Sequence, residues 1–360
     1  MIGARRGFLA AVLAVAGLSV QVATQPPASN VVLVTLDGLR WQEVFGGADQ
    51  AYFKRNEKGV IDPVSKNYAG TTAEARRALL MPFVWNVIAR QGQIFGDASQ
   101  GSVSRVTNGL WFSYPGYNEM FSGAADARID SNAKVPNPNV TVFEWLNQRA
   151  GFEGRVVAFG AWDVLPFIVN SGRSRVPVGS GFTPVPAPGT ANQRDINQLA
   201  KDLPAYWGYG TFDAPIVYAF LDALTEKKPR VLYLMLGEGD EWAHEGRYDL
   251  YLDATTRADR FLERIWTTLQ SMPEYRGKTT MIVTTDHGRG ATPKDWSDHG
   301  RNVPAAEQTW IAAIGPAVPP LGVRRNVNVT SSQIAASVAA MVGEDFHGAM
   351  PKSAPPLPFR

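Results

Sequence analysis

Three apolar, β-branched runs in this chain each stop at or just before an aspartate. Val31-Val32-Leu33-Val34-Thr35-Leu36 ends at Asp37-Gly38, and Met281-Ile282-Val283-Thr284-Thr285 ends at Asp286-His287-Gly288. Val231-Leu232-Tyr233-Leu234-Met235-Leu236 leads into Gly237 to His244, which holds Asp240. Near-continuous apolar runs of this length suit strands buried on both faces, as in parallel sheets covered by helices. Helical periodicity fills the intervals. It covers 73–91 with Pro82 as a kink, Pro115 to Phe121, Thr141 to Arg149, Ala214 to Thr225, 247–269 and Ser331 to Met341. Shorter strands are expected at 93–96, 155–159 and 308–314. This alternation predicts an α/β fold, a mostly parallel central sheet with helices on both faces. Short loops then bring Asp37, Asp240, His244, Asp286 and His287 to the carboxyl edge of that sheet, where open α/β sheets bind ligands.

The rest of the chain sorts around this domain, taken as residues 30–345. Residues 166–212 are rich in Pro, Gly, Ser and Asn and read as an inserted cap or surface excursion. Residues 346–360 read as an extended, Pro-rich tail. At the other end, Arg5 and Arg6 precede an apolar run from Phe8 to Val20 and small residues near Ala23. That is the layout of a signal peptide over 1–24, and it is short for a membrane span. Arg5-Arg6-Gly7-Phe8-Leu9 also fits a twin-arginine export signal as well as an ordinary one. Either route places the mature protein outside the cytoplasm, periplasmic or extracellular, with no membrane anchor left.

Composition narrows the chemistry. A formal net charge of +2 without a basic block gives no reason to expect binding to duplex nucleic acid. With no cysteine, disulfides, thiolate ligands and cysteine nucleophiles are excluded, so Asp, Glu and His must hold any metal. There are only 4 histidines, at 244, 287, 299 and 347. Taken singly, each motif has an ordinary explanation. Asp37 suits a tight turn before Gly38, and Asp240 and His244, four apart, suit a solvated helix face. Asp286-His287 with His299 after a polar loop supplies residue types that bind zinc or a similar divalent ion. Ser113, in Trp111-Phe112-Ser113-Tyr114-Pro115, falls at a helix start, where it serves as N-cap or as a hydroxyl at the positive end of the helix dipole. His347 fits no motif and reads as a surface or packing residue.

In this order the motifs resemble the alkaline phosphatase superfamily, above all its type I phosphodiesterase and nucleotide pyrophosphatase branch. The matching features are the first strand with Asp37, the hydroxyl at Ser113 followed by x-Pro, Asp240-x-x-x-His244, Asp286-His287-Gly288 and His299. The resemblance covers about 30–345. It implies a hydrolase of small phosphate esters with two divalent metal ions, zinc by analogy, and the N-terminal segment adds export. Asp240, His244 and His299 would hold one ion. Asp37, Asp286 and His287 would hold the other, with Ser113 as a further ligand and as the nucleophile that forms a phosphoseryl intermediate. Asn132 matches an asparagine that binds a phosphoryl oxygen in this branch, although Asn118, Asn137 and Asn139 lie nearby.

Two departures from family patterns bear on substrate. The sulfatase motif C/S-x-P-x-R needs Arg where this chain has Tyr117, which argues against a sulfatase. Some monoesterases of the branch carry Lys-x-Arg after a strand like 156–160, where this chain has Ala161-Trp162-Asp163; Arg173 and Arg175 are the substitutes in reach by sequence. A diesterase is therefore expected, with a phosphomonoesterase and a secreted, non-catalytic binding protein on the same fold as alternatives. Trp111, Phe112, Tyr114 and Trp162 are candidates for either a stacking wall or the core.

Overall fold

The computed structural model describes residues 29–360 together with Gly3. Gly3 apart, the expected signal segment 1–24 lies outside the described residues. Among the described residues eleven strands follow in chain order: β1 Asn30–Leu36, β2 Gln93–Phe95, β3 Ser104–Arg105, β4 Val156–Gly160, β5 Val178–Ser180, β6 Val231–Leu236, β7 Thr279–Thr284, β8 Gln308–Thr309, β9 Ile311–Ile314, β10 Gly322–Val323 and β11 Val329–Thr330. Eight of them form one sheet in the order β10-β2-β9-β7-β1-β6-β4-β5, and β11, β3 and β8 form a small second sheet. In the large sheet β9 runs antiparallel to both neighbours and the remaining pairings are parallel. The expected α/β architecture, mostly parallel with covered faces, is what the chain adopts.

Strand pleating explains the continuous apolar runs. Val32, Val34 and Leu36 of β1 join a core with the helices Ala73–Leu80, Asp213–Lys227 and Tyr248–Ser271. Val31 and Leu33 point the other way, into a core shared with Ser113–Ser122, Val142–Asn147 and Gln333–Met341. Successive side chains alternate faces, so a strand covered twice is apolar at most positions, and a polar exception such as Thr35 needs a buried partner, here the Tyr233 hydroxyl at 2.8 Å. Each fully buried Val or Leu there contributes about 1.5–3 kcal/mol relative to exposure.

Three local outcomes differ from the periodicity alone. The helix expected over 73–91 breaks at Met81 and Pro82, and Val84–Ile88 continues as a π-helical turn. The strand expected over 308–314 splits at the buried Trp310, whose indole N–H is held by Leu39 O at 2.9 Å. Residues 166–212 are not a purely peripheral excursion: they contribute edge strand β5 and the helix Ala191–Asp202, capped reciprocally by Thr190 and Gln193. The tail packs back on the sheet edge, where Gln93 Nε2 donates to Phe359 O at 2.7 Å and Phe359 meets Phe95 edge-on. His347 Nδ1 lies 2.7 Å from Ser353 O, a packing contact.

Candidate metal centre

β1 lies between β6 and β7, so the three acidic turns leave neighbouring strands. Thr35 pairs with Thr284, and two residues further on stand Asp37 and Asp286. Leu36 pairs with Leu236, and the helix Glu238–His244 starts two residues beyond it with Asp240 and His244 on one turn. Register thus converts three separate motifs into one cluster. The turn at Gly38 has φ 60°, and a Cβ there would lie 2.6 Å from Asp240 Oδ1, so glycine is required on both counts.

Asp37, Asp286 and His287 form one buried group. His287 Nδ1 lies 2.9 Å from Gly288 O, which leaves Nε2 facing the carboxylates. That nitrogen is 3.4 Å from Asp37 Oδ1 and 3.5 Å from Asp286 Oδ2. Tyr117 OH donates to Asp37 Oδ2 at 2.8 Å, and Gly38 N donates to Asp286 Oδ1 at 3.2 Å. Asp37 Oδ1 and Asp286 Oδ2 are buried without a hydrogen-bond partner. Two orphaned carboxylate oxygens converging on an imidazole nitrogen are costly unless something cationic sits among them, and the set suits a divalent ion.

The second group is more open. His244 Nε2 lies 3.1 Å from Asp240 Oδ2 and 3.1 Å from His299 Nε2. His299 Nε2 is 3.9 Å from Asp240 Oδ1, and its ring lies against His287 with centroids 4.1 Å apart. His287 Nε2 is itself 3.8 Å from Asp240 Oδ1, so it stands between the two groups. Two imidazole nitrogens turned toward each other beside a carboxylate again offer lone pairs to a cation. Arg289, buried and absent from the sequence reading, pairs with Asp240 and donates to the carbonyls of Gly38 and Ser297.

Electrostatics follow from this crowding. Burial, and then the charge of Asp37, raises the Asp286 carboxyl well above the usual carboxylate range. Burial disfavours a charged His287, but Asp286, Asp37 and Asp240 outweigh it and bring the imidazole up to about 9. Burial and the neighbouring His287 push His299 down to about 2. Burial opposes ionisation of Asp240, but Arg289 and His244 hold it well below the usual range.

Ser113 opens the helix Ser113–Ser122, and its Oγ lies 3.4 Å from His287 Nε2. Gly116 lets that helix approach the Asp286 carbonyl so closely that a Cβ would collide with it. The loop before Ser113 is held by Glu119, a fully buried carboxylate that accepts from Thr107 N, Thr107 Oγ1, Asn108 N, Asn108 Nδ2 and Ser332 Oγ. Asn108 Oδ1 in turn accepts from Leu110 N and Trp111 N, and it steadies Trp111 at φ 57°. Asn132 Oδ1 accepts from Tyr114 N at 3.0 Å. With its oxygen tethered, the Asn132 amide N–H groups remain for a ligand.

Asp37, Ser113, Asn132, Asp240, His244 and His299 line one cavity of about 510 Å³, with Asp286 and His287 buried behind them. Lys134, Trp162, Asp163, Tyr209 and Glu241 complete its outer wall. Of the aromatic candidates, Trp162 lines the cavity, Tyr114 is core, and Trp111 and Phe112 are half-buried. Arg173 and Arg175 are corrected as site cations. Arg173 is paired with Glu144 and bonds the carbonyls of Pro138 and Asn139, and Arg175 lies with Asn147 and Glu153 in a separate surface cleft. Lys134, Glu119 and Arg289 escaped sequence reading. Only the position of Arg289 directly after Asp286-His287-Gly288 hinted at any of them.

Residues 210–342 match the sequence family described as the Metalloenzyme superfamily. No curated protein sequence matches closely enough to support a comparison. A Vibrio parahaemolyticus protein of the alkaline phosphatase superfamily superposes with TM-score 0.52 at 13% identity, over 89% of this chain and 68% of that one. A murine ectonucleotide pyrophosphatase/phosphodiesterase, an inactive form in complex with AMP, gives TM-score 0.52 at 13% identity, over 91% of this chain and 100% of that one. The phosphonate monoester hydrolase of Agrobacterium radiobacter gives 0.53 at 12%, over 93% and 79%. At these identities the likeness is one of fold, and that fold is alkaline phosphatase-like.

Proposed function

We propose that this chain, built on the alkaline phosphatase-like fold, is a metal-dependent hydrolase of phosphoric esters whose primary substrates are diesters or pyrophosphates. The observation that carries the reading is two Asp/His groups that share His287, Asp37-Asp286-His287 with two orphaned carboxylate oxygens and Asp240-His287-His299, set at and behind the wall of the cavity that Ser113 lines. Asp37, Asp286 and His287, with Ser113, would hold one divalent ion, and Asp240, His244 and His299 a second. Zinc suits this all-oxygen-and-nitrogen donor set. When bound, such ions supply Lewis-acid stabilisation of phosphoryl charge and lower the pKa of a nearby hydroxyl.

The residues of the chain divide the remaining work. Ser113 Oγ attacks phosphorus as the leaving oxygen departs with the bonding pair, and water later displaces the serine from the phosphoseryl intermediate. The N-terminus of helix Ser113–Ser122 directs its positive end at the transferring group. Asn132, its oxygen tethered to Tyr114 N, donates to a non-bridging oxygen. Tyr117, where a sulfatase motif would need Arg, instead steadies Asp37. The loop after β4 presents no paired cations, and Arg173 and Arg175 lie outside the cavity, which favours a singly charged diester over a dianion. The charge and apolar layout of residues 1–24 supports export, and no helix among the described residues is long and apolar enough to cross a membrane.

The test is hydrolysis of bis-p-nitrophenyl phosphate by the zinc-loaded protein, beside Ser113→Ala. Turnover is expected to fall by at least about a thousandfold in the variant. Activity that survives the loss of Ser113 would sink the covalent mechanism. A wild-type protein that binds two zinc ions but turns over no ester would instead be a binding protein on this fold.

A further inference from the structure

We propose that Arg289 is a positioning residue for the second metal group: it fixes Asp240 directly and His299 through the Ser297 carbonyl, and the first group does not depend on it. The inference rests on the reading of the two Asp/His groups as metal sites, and metal binding, not turnover, is what tests it.

Arg289 is fully buried and stands directly after the Asp286-His287-Gly288 turn. Its guanidinium is shared among three segments. Nε donates to Gly38 O, in the turn after β1, at 3.2 Å. Nη2 donates to Asp240 O at 3.1 Å and to Asp240 Oδ1, in the helix after β6. Nη1 donates to Ser297 O, in the loop that ends at His299. A planar fork holds that many acceptors in one arrangement, which an ammonium on a flexible stem cannot do. The two ligands it reaches have little else to orient them. With Oδ1 on Arg289, Asp240 turns Oδ2 toward His244 Nε2 at 3.1 Å. Metal-binding histidines ordinarily have their other ring nitrogen held by a hydrogen bond. His287 has such a partner in Gly288 O, whereas His299 Nδ1 is buried without one. The His299 ring is therefore placed by its backbone. That backbone is tied by Arg289 at Ser297 and by Gly290 N, which donates to Asp298 O at 3.0 Å. Arg40 Nη1 fixes the base of the same loop, donating to Gly290 O at 2.7 Å.

The first group is supported by other means. Tyr117 OH holds Asp37, Gly38 N holds Asp286, and Gly288 O orients His287. None of these three contacts is made by the guanidinium. Charge separates the groups as well. Asp37 and Asp286 bring two carboxylates with orphaned oxygens to the first group, whereas the second has one carboxylate, already paired with Arg289. The hold of the second group on a cation therefore depends less on excess charge than on the placement of Asp240, His244 and His299.

The experiment is zinc binding by the full chain, measured by chelator competition, for wild type, Arg289→Met, Arg289→Lys and His244→Ala, with circular dichroism as the check on folding. Wild type is expected to take up two ions in two steps. His244→Ala, which removes a ligand of the second group alone, identifies the step that belongs to that group. Arg289→Met is expected to weaken the same step by about 10–100-fold and to leave the other within about twofold. Should Arg289→Met not fold, Arg289→Lys decides, since it keeps the charge but not the fork; a loss of at least about fivefold, confined to the same step, is expected. Equal weakening of both steps, or of neither, overturns the proposal. Turnover of bis-p-nitrophenyl phosphate by Arg289→Met is expected to fall at limiting zinc and to return at excess zinc. Turnover that stays low with both ions bound overturns a positioning role. A wild type that binds two ions but hydrolyses no ester removes the proposed function and leaves this inference standing on the binding steps. One that binds a single ion overturns this inference, and one that binds none overturns both.

Discussion

The hydroxyl of Tyr117 is the smallest part of this site whose role is read directly from geometry. It is fully buried, and burial followed by the charges of Asp286 and Asp37 raises its pKa well above the usual phenol range. It therefore remains a donor to Asp37 Oδ2 at any working pH. Removing such a supporting donor lowers metal affinity by about 10–100-fold in comparable sites. Tyr117→Phe is accordingly expected to weaken zinc binding in a chelator competition by about tenfold or more, with the shape of the core preserved; unchanged affinity would show that Asp37 needs no such support. Asp37, Asp240, His244, Asp286 and His287 stand out in the sequence because each follows an apolar run or repeats at helical spacing, and His299 only by following Asp286-His287 across a polar loop. Arg289, Glu119 and Lys134 do not. A buried arginine, a buried glutamate and a cavity lysine look like surface residues until the chain brings their partners together.

At the level of elements, Pro82 shows how a local interruption is repaired from a distance. The break leaves the first amides of the following turn without intrahelical acceptors. Asp259, on the long helix Tyr248–Ser271, accepts from Phe83 N at 2.7 Å and Val84 N at 3.0 Å. Burial raises the Asp259 carboxyl to about 7, against the lowering effect of those two N–H groups. The sign follows from linkage: the unfolded chain gives up this proton near pH 4 and the folded chain only near 7, so folding takes up a proton between them. Asp259 thus contributes stability that is complete below about pH 4 and is lost as pH rises to about 7. Asp259→Asn is expected to flatten the fall in melting temperature between about pH 4.5 and 7.5, and an undiminished fall would place its origin elsewhere. The kink itself was visible in the sequence, whereas its acceptor, far along the chain, was not. Edge strand β5 escaped for a related reason: three residues flanked by Pro and Gly carry too little periodicity to stand out.

For the whole molecule, the two Asp/His groups join the turns after β1, β6 and β7 to the Ser113 helix and the 286–299 loop. Ions held there would bind the folded state and not the unfolded one, so they add stability by RT ln(1 + [L]/Kd), about 4 kcal/mol at a thousandfold excess over Kd. Removing metal with EDTA is expected to lower the melting temperature by several degrees, and zinc should restore it. A melting temperature indifferent to EDTA and to added zinc would argue against bound ions at this edge of the sheet. The sequence by itself determined the α/β class, the apolar strands and the identity of the Asp and His residues, because periodicity and residue chemistry are local properties. Strand order, which sets β1 between β6 and β7, was decided by tertiary structure, and so were the pairing of Arg289 with Asp240, the work of Glu119 and the entry of Lys134 into the cavity. Each of those depends on which distant backbone segments pack together, and burial of polar groups is energetically tolerable only once their partners have arrived.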